Sequence, residues 1–347
     1  MSASVVITLV LFALVVVNIT GNSLVCAIIR KHRDMRTPIN YLILNLAMAD
    51  ALYATLIIPM YIFRFNLSHP TGLAGDVLCV MLTNGSFAWV AAIAAICTLL
   101  AIAIERYYAV VYPLGNKWKC SISAVKVKGF NVLFHFLAFQ KIIAGSWVFG
   151  LVFNIPLIMI NKLRNNFCAG IWPKEWMGKA FGVYSNVVVF GSLFGMFVLY
   201  FRVVHTLWFK SSGVRQVNQE QSVSSVKNVL HMTYGLAVKA RKRFTLMVVI
   251  ISVIFAICWS ANQVPYTMFL YANYKPSVVE IGISNVMVLF NTAVNPFVYA
   301  LFNQNFRRKM KAMVACGKNN RVGQEQHLKT LNRQSFQPVR HPCQSSN

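Results

Sequence analysis

A few polar groups stand where the surrounding chain is apolar, and their types bound the chemistry available. Asp50 ends the run Leu44-Asn45-Leu46-Ala47-Met48-Ala49, and Glu105-Arg106-Tyr107 closes another apolar stretch. A third stretch holds Asn291 and then Asn295-Pro296-Phe297-Val298-Tyr299. Placing an Asp at bilayer depth costs about 2.5–3.5 kcal/mol, and a carboxamide and a helix-breaking proline add to this, so such groups mark working parts of a membrane protein. Asp50 could be the carrier group of a seven-helix transporter or proton channel. That reading predicts paired broken helices and an internal repeat, and the sequence shows neither. Enzyme chemistry lacks its parts. The seven His are scattered through loops or stand singly, and no outward or intramembrane group of His, Cys and acid has catalytic or metal spacing. An enzyme is not expected.

The elements that position these groups follow from composition. Of 347 residues, 57% are hydrophobic and only 12% charged, too little charge for a soluble domain of this length and consistent with a polytopic membrane protein. Runs long enough to cross about 30 Å of hydrocarbon lie near 5–29, 39–63, 80–104, 142–161, 181–207, 244–271 and 278–301. The expected fold is therefore an all-α seven-transmembrane helix bundle. The net charge of +25 is no nucleic-acid footprint, because the basic residues sort by loop. With the N-terminus outside, the inner loops and tail hold 27 Lys and Arg, and the outer loops hold six. This bias sets the orientation, N-terminus extracellular and C-terminus cytoplasmic, and draws the inner face to anionic lipid.

The expected organisation is a short outer N-terminus (1–4), a membrane domain (5–301), a membrane-surface helix (302–316) with alternating basic and apolar residues, and a disordered cytoplasmic tail (317–347). Residues 5–17 lack a basic leader and a small-residue cleavage site, so they read as a retained first helix rather than a signal peptide, and no N-terminal ligand-binding domain is expected. Thr37-Pro38 reads as a helix start. The segments 129–139 and 228–238 are apolar or semi-apolar but too short to span. Either could lie on the membrane face, and the first could equally be translated non-coding sequence. Cys26, Cys97 and Cys258 fall inside spans, and Cys120, Cys316 and Cys343 face the reducing cytosol. Cys79 and Cys168 face outside, which leaves one disulfide.

Taken in order, these elements resemble the rhodopsin-like (class A) family of G-protein-coupled receptors over about residues 5–315. The matching motifs begin with Gly21-Asn22 in the first span and with Met35-Arg36-Thr37-Pro38 and Asp50 at the second. They continue with Glu105-Arg106-Tyr107 at the third, Trp147 in the fourth and Tyr200 in the fifth. Cys258-Trp259 in the sixth and residues 295–299 in the seventh complete the set. Each is weak alone, and the joint order carries the resemblance. It implies that Arg106 pairs with Glu105 at rest and is released to a heterotrimeric G protein when helices shift. Tyr200 and Tyr299 would join its network in the active state. Asp50, Asn291 and Asn295 would hold an allosteric sodium ion, or else a water-filled polar network, since the family's frequent third-helix hydroxyl is Ala95 here. No other cofactor is implied. Trp259 would be the lever beneath the ligand cavity. The family's proline two residues beyond it is Ala261, with Pro265 one turn later, and the fifth-helix proline is Ser192, which puts the amplitude of the activating motion in question.

The resemblance also implies that Cys79–Cys168 ties the third helix to the second outer loop. Its spacing to Arg106 is about two residues long, which calls for a bulge or a shifted register. Asn66-Leu67-Ser68 is a glycosylation sequon, and Cys316 is a palmitoylation candidate. Counting back from Arg106 gives Ala88 and forward from Cys79 gives Ser86, so neither register supplies the third-helix acid of amine receptors. The seventh-helix position of the retinal lysine is Leu289, against light sensing. Trp89, Asn262, Gln263 and Tyr266 could line a hydrogen-bonding cavity with Trp259, while Trp172, Trp176 and Tyr274 read as interface belts. The stretch 35–50 and residues 258–263 look most similar to invertebrate neuropeptide receptors. The expected ligand is a peptide, and tail phosphorylation would recruit a desensitising partner. A receptor-like chain that no longer signals is the alternative within the family.

Overall fold

A computed structural model describes residues 3–63, 69–112, 128–164, 167–210, 225–272 and 274–313. Seven helices are long and apolar enough to cross a membrane. Helix is the form that satisfies every backbone N–H and C=O within its own segment where no water is present. They are α1 (Ala3–Lys31), α2 (Pro38–Phe63), a third span made of α3 (Leu73–Leu78) and α4 (Ser86–Val111), α5 (Lys128–Ile160), α6 (Glu175–His205), α7 (Ser225–Tyr271) and α8 (Val278–Phe302). A last helix, α9, covers 304–313 and belongs to a separate unit.

Packing runs from α1 on α2 through α2 on α4, α4 on α5 and α6, α6 on α7 and α7 on α8, with α1 also packed on α8, and α5 meets α6 where the Phe153 and Tyr184 rings stack with centres 4.6 Å apart. The third span is the hub: α4 touches α2, α5, α6 and α7, and 67% of its most apolar window is buried, against 22% for α1, α5 and α6. Its buried face is rich in small residues, among them Ala88, Ala91, Ala94, Ala95 and Ala103. Small residues let backbones approach closely where lipid gives no hydrophobic drive between helices. At Gly150 of α5 an added Cβ would stand 2.7 Å from the Val90 carbonyl oxygen. Large apolar side chains turn outward instead, with Phe194, Phe197 and Phe201 of α6 all more than 60% exposed.

Three elements go beyond the sequence expectation, and the first supplies the bulge that the Cys79–Arg106 spacing called for. Between α3 and α4 the chain forms a π-helical turn over Cys79–Thr83, with Asn84 N–H bonded to the Cys79 carbonyl at 3.0 Å, and α4 then starts afresh from Gly85 at φ 73°. The excess length between Cys79 and Arg106 is absorbed there. A side chain at Gly85 would meet both the left-handed backbone and, at 3.1 Å, Ile57 and Met60. Segment 129–139 is the first part of α5, with Gln140 and Lys141 inside the same continuous helix, and segment 228–238 likewise begins α7. Neither is a separate surface piece. Hydropathy fades where a helix leaves the hydrocarbon, but the helix need not stop. Finally, α5 and α6 are joined by a hairpin, β1 (Asn161–Arg164) and β2 (Phe167–Gly170), antiparallel with Leu163 opposite Cys168.

Candidate functional site

A cavity of about 220 Å³ opens among α4, α5, α6 and α7. The five residues expected to line it, Trp89, Trp259, Asn262, Gln263 and Tyr266, all do so. Four of them fall at 259, 262, 263 and 266, the spacing that puts side chains on one face of α7. Trp259 is 3% exposed, edge-on to Trp89 at 6.2 Å, and Trp89 is in turn edge-on to Tyr53 at 6.0 Å. The sequence reading missed the opposite wall, Phe153, Asn154 and Leu157 of α5 and Phe181 and Ser185 of α6. Their i, i+1, i+4 and i, i+4 spacings were a signal, but spans that are apolar all round give no phase to read.

Hydrogen bonds fix the polar part of the wall. Gln263 Nε2 and Ser185 Oγ are 3.3 Å apart, Asn262 Nδ2 donates to Ser284 Oγ at 2.8 Å, and Asn186 Nδ2 donates to Thr267 Oγ1 at 2.9 Å just above. None of the lining residues is a carboxylate, a lysine, an arginine or a histidine.

The hairpin is anchored near the start of the third span. Cys79 and Cys168 form a disulfide with Cα atoms 5.3 Å apart. Leu163 N–H donates to Asp76 Oδ1 at 3.0 Å, and Asn161 Nδ2 donates to Ser86 Oγ at 3.0 Å. Trp172, expected in an interface belt, packs against Phe181 with ring centres 5.4 Å apart, and Trp176 is 62% exposed. Asn66 and Cys316, the modification candidates, lie outside the described residues, as does the tail beyond 313.

Deeper in the bundle, Asn295 Nδ2 donates to Asp50 Oδ2 at 2.7 Å, and Asn295 Oδ1 is buried with no hydrogen-bond partner. Asn291 is buried one turn away on α8. Pro296 has no N–H for the Thr292 carbonyl four residues earlier, and Asn22 Nδ2 supplies the missing donor at 3.1 Å. Gly21 beside it lets the proline ring in, since a Cβ there would stand 3.0 Å from Pro296 Cγ. Asn18 Nδ2 adds a bond to Thr292 Oγ1 at 2.7 Å. A second lock joins three helices: Trp147 Nε1 of α5 donates to Asn45 Oδ1 of α2 at 2.9 Å, and Asn45 Nδ2 donates to Thr98 Oγ1 of α4 at 2.8 Å.

At the far end of α4 the Arg106 guanidinium is paired with Glu105 and lies 4.5 Å from the centre of the Phe244 ring of α7. Phe244 was not anticipated from sequence. Tyr107 packs on Val110, Val203 and Leu207, which couples α4 to α6. Tyr200 and Tyr299 are buried at 5% and 2% exposure on α6 and α8.

Residues 21–299 match the family described as 7 transmembrane receptor (rhodopsin family). Among curated relatives, the QRFP-like peptide receptor of Branchiostoma floridae is 27% identical over 98% of this chain and 87% of its own length. The pyroglutamylated RF-amide peptide receptor of Rattus norvegicus is 25% identical over 85% of this chain and 66% of the relative. The substance-K receptor of Homo sapiens is 28% identical over 88% and 71% respectively. With the family match covering five of the seven spans entirely and parts of the first and the last, the chain belongs to the rhodopsin family of seven-transmembrane receptors.

Proposed function

We propose that this protein is a plasma-membrane receptor that takes a peptide into the cavity above Trp259 and responds by activating a heterotrimeric G protein at the Arg106 end. The observation that carries the reading is that α7 reaches both places: Trp259 lines the cavity, and Phe244, about four turns along the same helix, lies under the Arg106 guanidinium. A shift of α7 caused by a ligand on Trp259 is therefore felt at Arg106 without further parts. Three similar proteins, named above, are peptide receptors by name or by the peptide in their name. The uncharged cavity disfavours an amine, which would need a carboxylate partner. Membership of a receptor family also disfavours the transporter reading.

The N-terminus lies outside in this proposal, on the grounds of the inner excess of Lys and Arg and of the disulfide at the other face. Asp50 and Asn295 would hold a sodium ion together with Asn291. The unpartnered, buried Asn295 oxygen beside a carboxylate is the kind of donor set a hard cation takes. The ion would add positive charge against Asp50 when bound.

The test is expression in cultured cells with surface display confirmed, followed by a screen of short neuropeptides and small amines reading calcium and cyclic AMP. A saturable peptide response that disappears with Arg106→Ala is the expected result. A displayed protein with neither ligand response nor basal signal would sink the proposal.

A further inference from the structure

The cavity lies towards the end of the bundle remote from Arg106. Trp89 stands in the first turn of α4, Leu157 is three residues before the end of α5, Phe181 is six residues into α6, and Tyr266 is five residues before the end of α7. The connections and helix ends there are unevenly charged in sequence, with six Lys and Arg against three carboxylates, Asp76, Glu175 and Glu280. All three carboxylates are engaged within the fold. Asp76 Oδ1 accepts from Leu163 N–H at 3.0 Å, Glu175 pairs with Lys179 at 2.6 Å, and Glu280 Oε2 accepts from Ser277 N–H at 2.7 Å in the capping box that starts α8.

Three cations have no such employment. Lys162 in β1, Lys174 before α6 and Lys275 between α7 and α8 are exposed, and among the described residues none of the three pairs with a carboxylate. They stand five residues beyond Leu157, seven before Phe181 and nine beyond Tyr266, so each is close in sequence to a different wall of the cavity. Helix formation does not account for Lys174. It is the N-cap of α6 and makes no side-chain cap bond, at a position where a short oxygen-bearing side chain would meet the free N–H groups and where the helix dipole favours an anion. Glu175 answers the dipole and Lys179 answers Glu175, which leaves the charge of Lys174 uncompensated.

No residue that lines the cavity carries a formal charge, so a peptide segment inside it is neutral. The rest of the peptide must leave past the three lysines, which repel a basic segment and attract an acidic one. Each exposed pair of this kind is worth about 1.4- to 5-fold in affinity. Resting on the peptide-receptor reading, we infer that the ligand is an acidic peptide, whose neutral segment fills the cavity while Asp or Glu residues beside that segment lie against Lys162, Lys174 and Lys275. Charge outside the cavity then selects among peptides that the cavity itself accepts.

The experiment displays the full chain on cells and reads G-protein activation by pools of synthetic peptides. Every peptide has a four-residue segment drawn from Phe, Tyr, Trp, Leu, Asn and Gln with a two-residue flank on one side or the other, and both ends are blocked so that the flank alone sets the charge. The flank is Glu-Glu in one pool, Gln-Gln in the second and Lys-Lys in the third. The Glu pool should be at least fivefold more potent than the Gln pool, with the Lys pool weakest. Added choline chloride at constant sodium and osmolarity should shrink that advantage, because exposed charges are screened. Lys162→Glu, Lys174→Glu and Lys275→Glu together should reverse the order of the pools, which a merely weakened fold does not do. If the triple variant is not displayed, Lys174→Glu alone should narrow the Glu-to-Gln ratio at least twofold. Equal potency of the Glu and Gln pools, a lead for the Lys pool, an advantage indifferent to salt, or an unchanged order in a displayed triple variant overturns the inference and leaves a peptide receptor in place. Silence of a displayed receptor to all pools overturns both.

Discussion

The side chain of Asn22 stands in for the backbone N–H that Pro296 lacks. It donates to the Thr292 carbonyl at 3.1 Å, one helix away, and Gly21 next to it admits the proline ring. The pair Gly21-Asn22 and the proline of α8 are thus one device, built from residues 274 positions apart. Asn22→Leu should lower the melting temperature of the solubilised receptor, with a loss of about 0.6–1.7 kcal/mol, the range of interhelical bonds in membranes. Thermal unfolding followed by thiol-reactive dye would read it; an unchanged melting temperature would mean that the Thr292 carbonyl finds another donor.

Phe244 should restrain the resting state. The Arg106 guanidinium 4.5 Å above its ring gains about 0.5–2 kcal/mol, which corresponds to roughly two- to thirtyfold in an equilibrium. Phe244→Ala should therefore raise ligand-independent G-protein activation by a factor in that range. A basal signal equal to that of the unaltered protein at matched display would remove Phe244 from the switch.

Sodium dependence offers a separate handle on the middle of the bundle. Ligand affinity measured in sodium chloride should be lower than in choline chloride by about fivefold or more, the lower end of ordinary allosteric coupling. Asp50→Asn, which keeps the shape and removes the charge, should make the two salts equivalent. Equal affinities for the unaltered protein in both salts would leave Asp50, Asn291 and Asn295 as a hydrated network.

The disulfide between Cys79 and Cys168 should stabilise the fold by about 2–4 kcal/mol. Replacing either cysteine by Ser should reduce surface display and weaken ligand binding at least tenfold in what is displayed. Binding that survives the replacement intact would show that Asp76 and Ser86, which also hold the hairpin, suffice on their own.

Seven spans were legible because a bilayer imposes a length and a polarity on each crossing, and those are properties of the sequence itself. The ends were less so. Residues 128–141 continue α5 although Gln140 and Lys141 interrupt the apolar run, since the backbone bonds of a helix do not depend on hydropathy. On the cavity, α7 could be read because Trp259, Asn262, Gln263 and Tyr266 are polar or aromatic residues at helical spacing in an apolar field. Phe153 and Phe181 are apolar among apolar neighbours, and nothing in the chain tells an inward Phe from the outward Phe194. Phe244 depends on where α7 crosses α4, which is a property of the packed bundle alone.

The π-helical turn at Cys79–Thr83 and the left-handed Gly85 give the third span two independent rulers. From Ser86 to Val111 the helix is unbroken, so Trp89 and Arg106 are geared to one another by a fixed count of residues. Outside Gly85 the cystine follows its own count, and for that reason the two sequence registers, one from each end, disagreed by two residues. Counted from Arg106 along the unbroken helix, the position that the resemblance compares with the acid of amine receptors is Ala88. The segment before Gly85 is a slip joint: residues gained or lost there would slide the cystine and its hairpin relative to α4 while every cavity side chain of α4 kept its bearing.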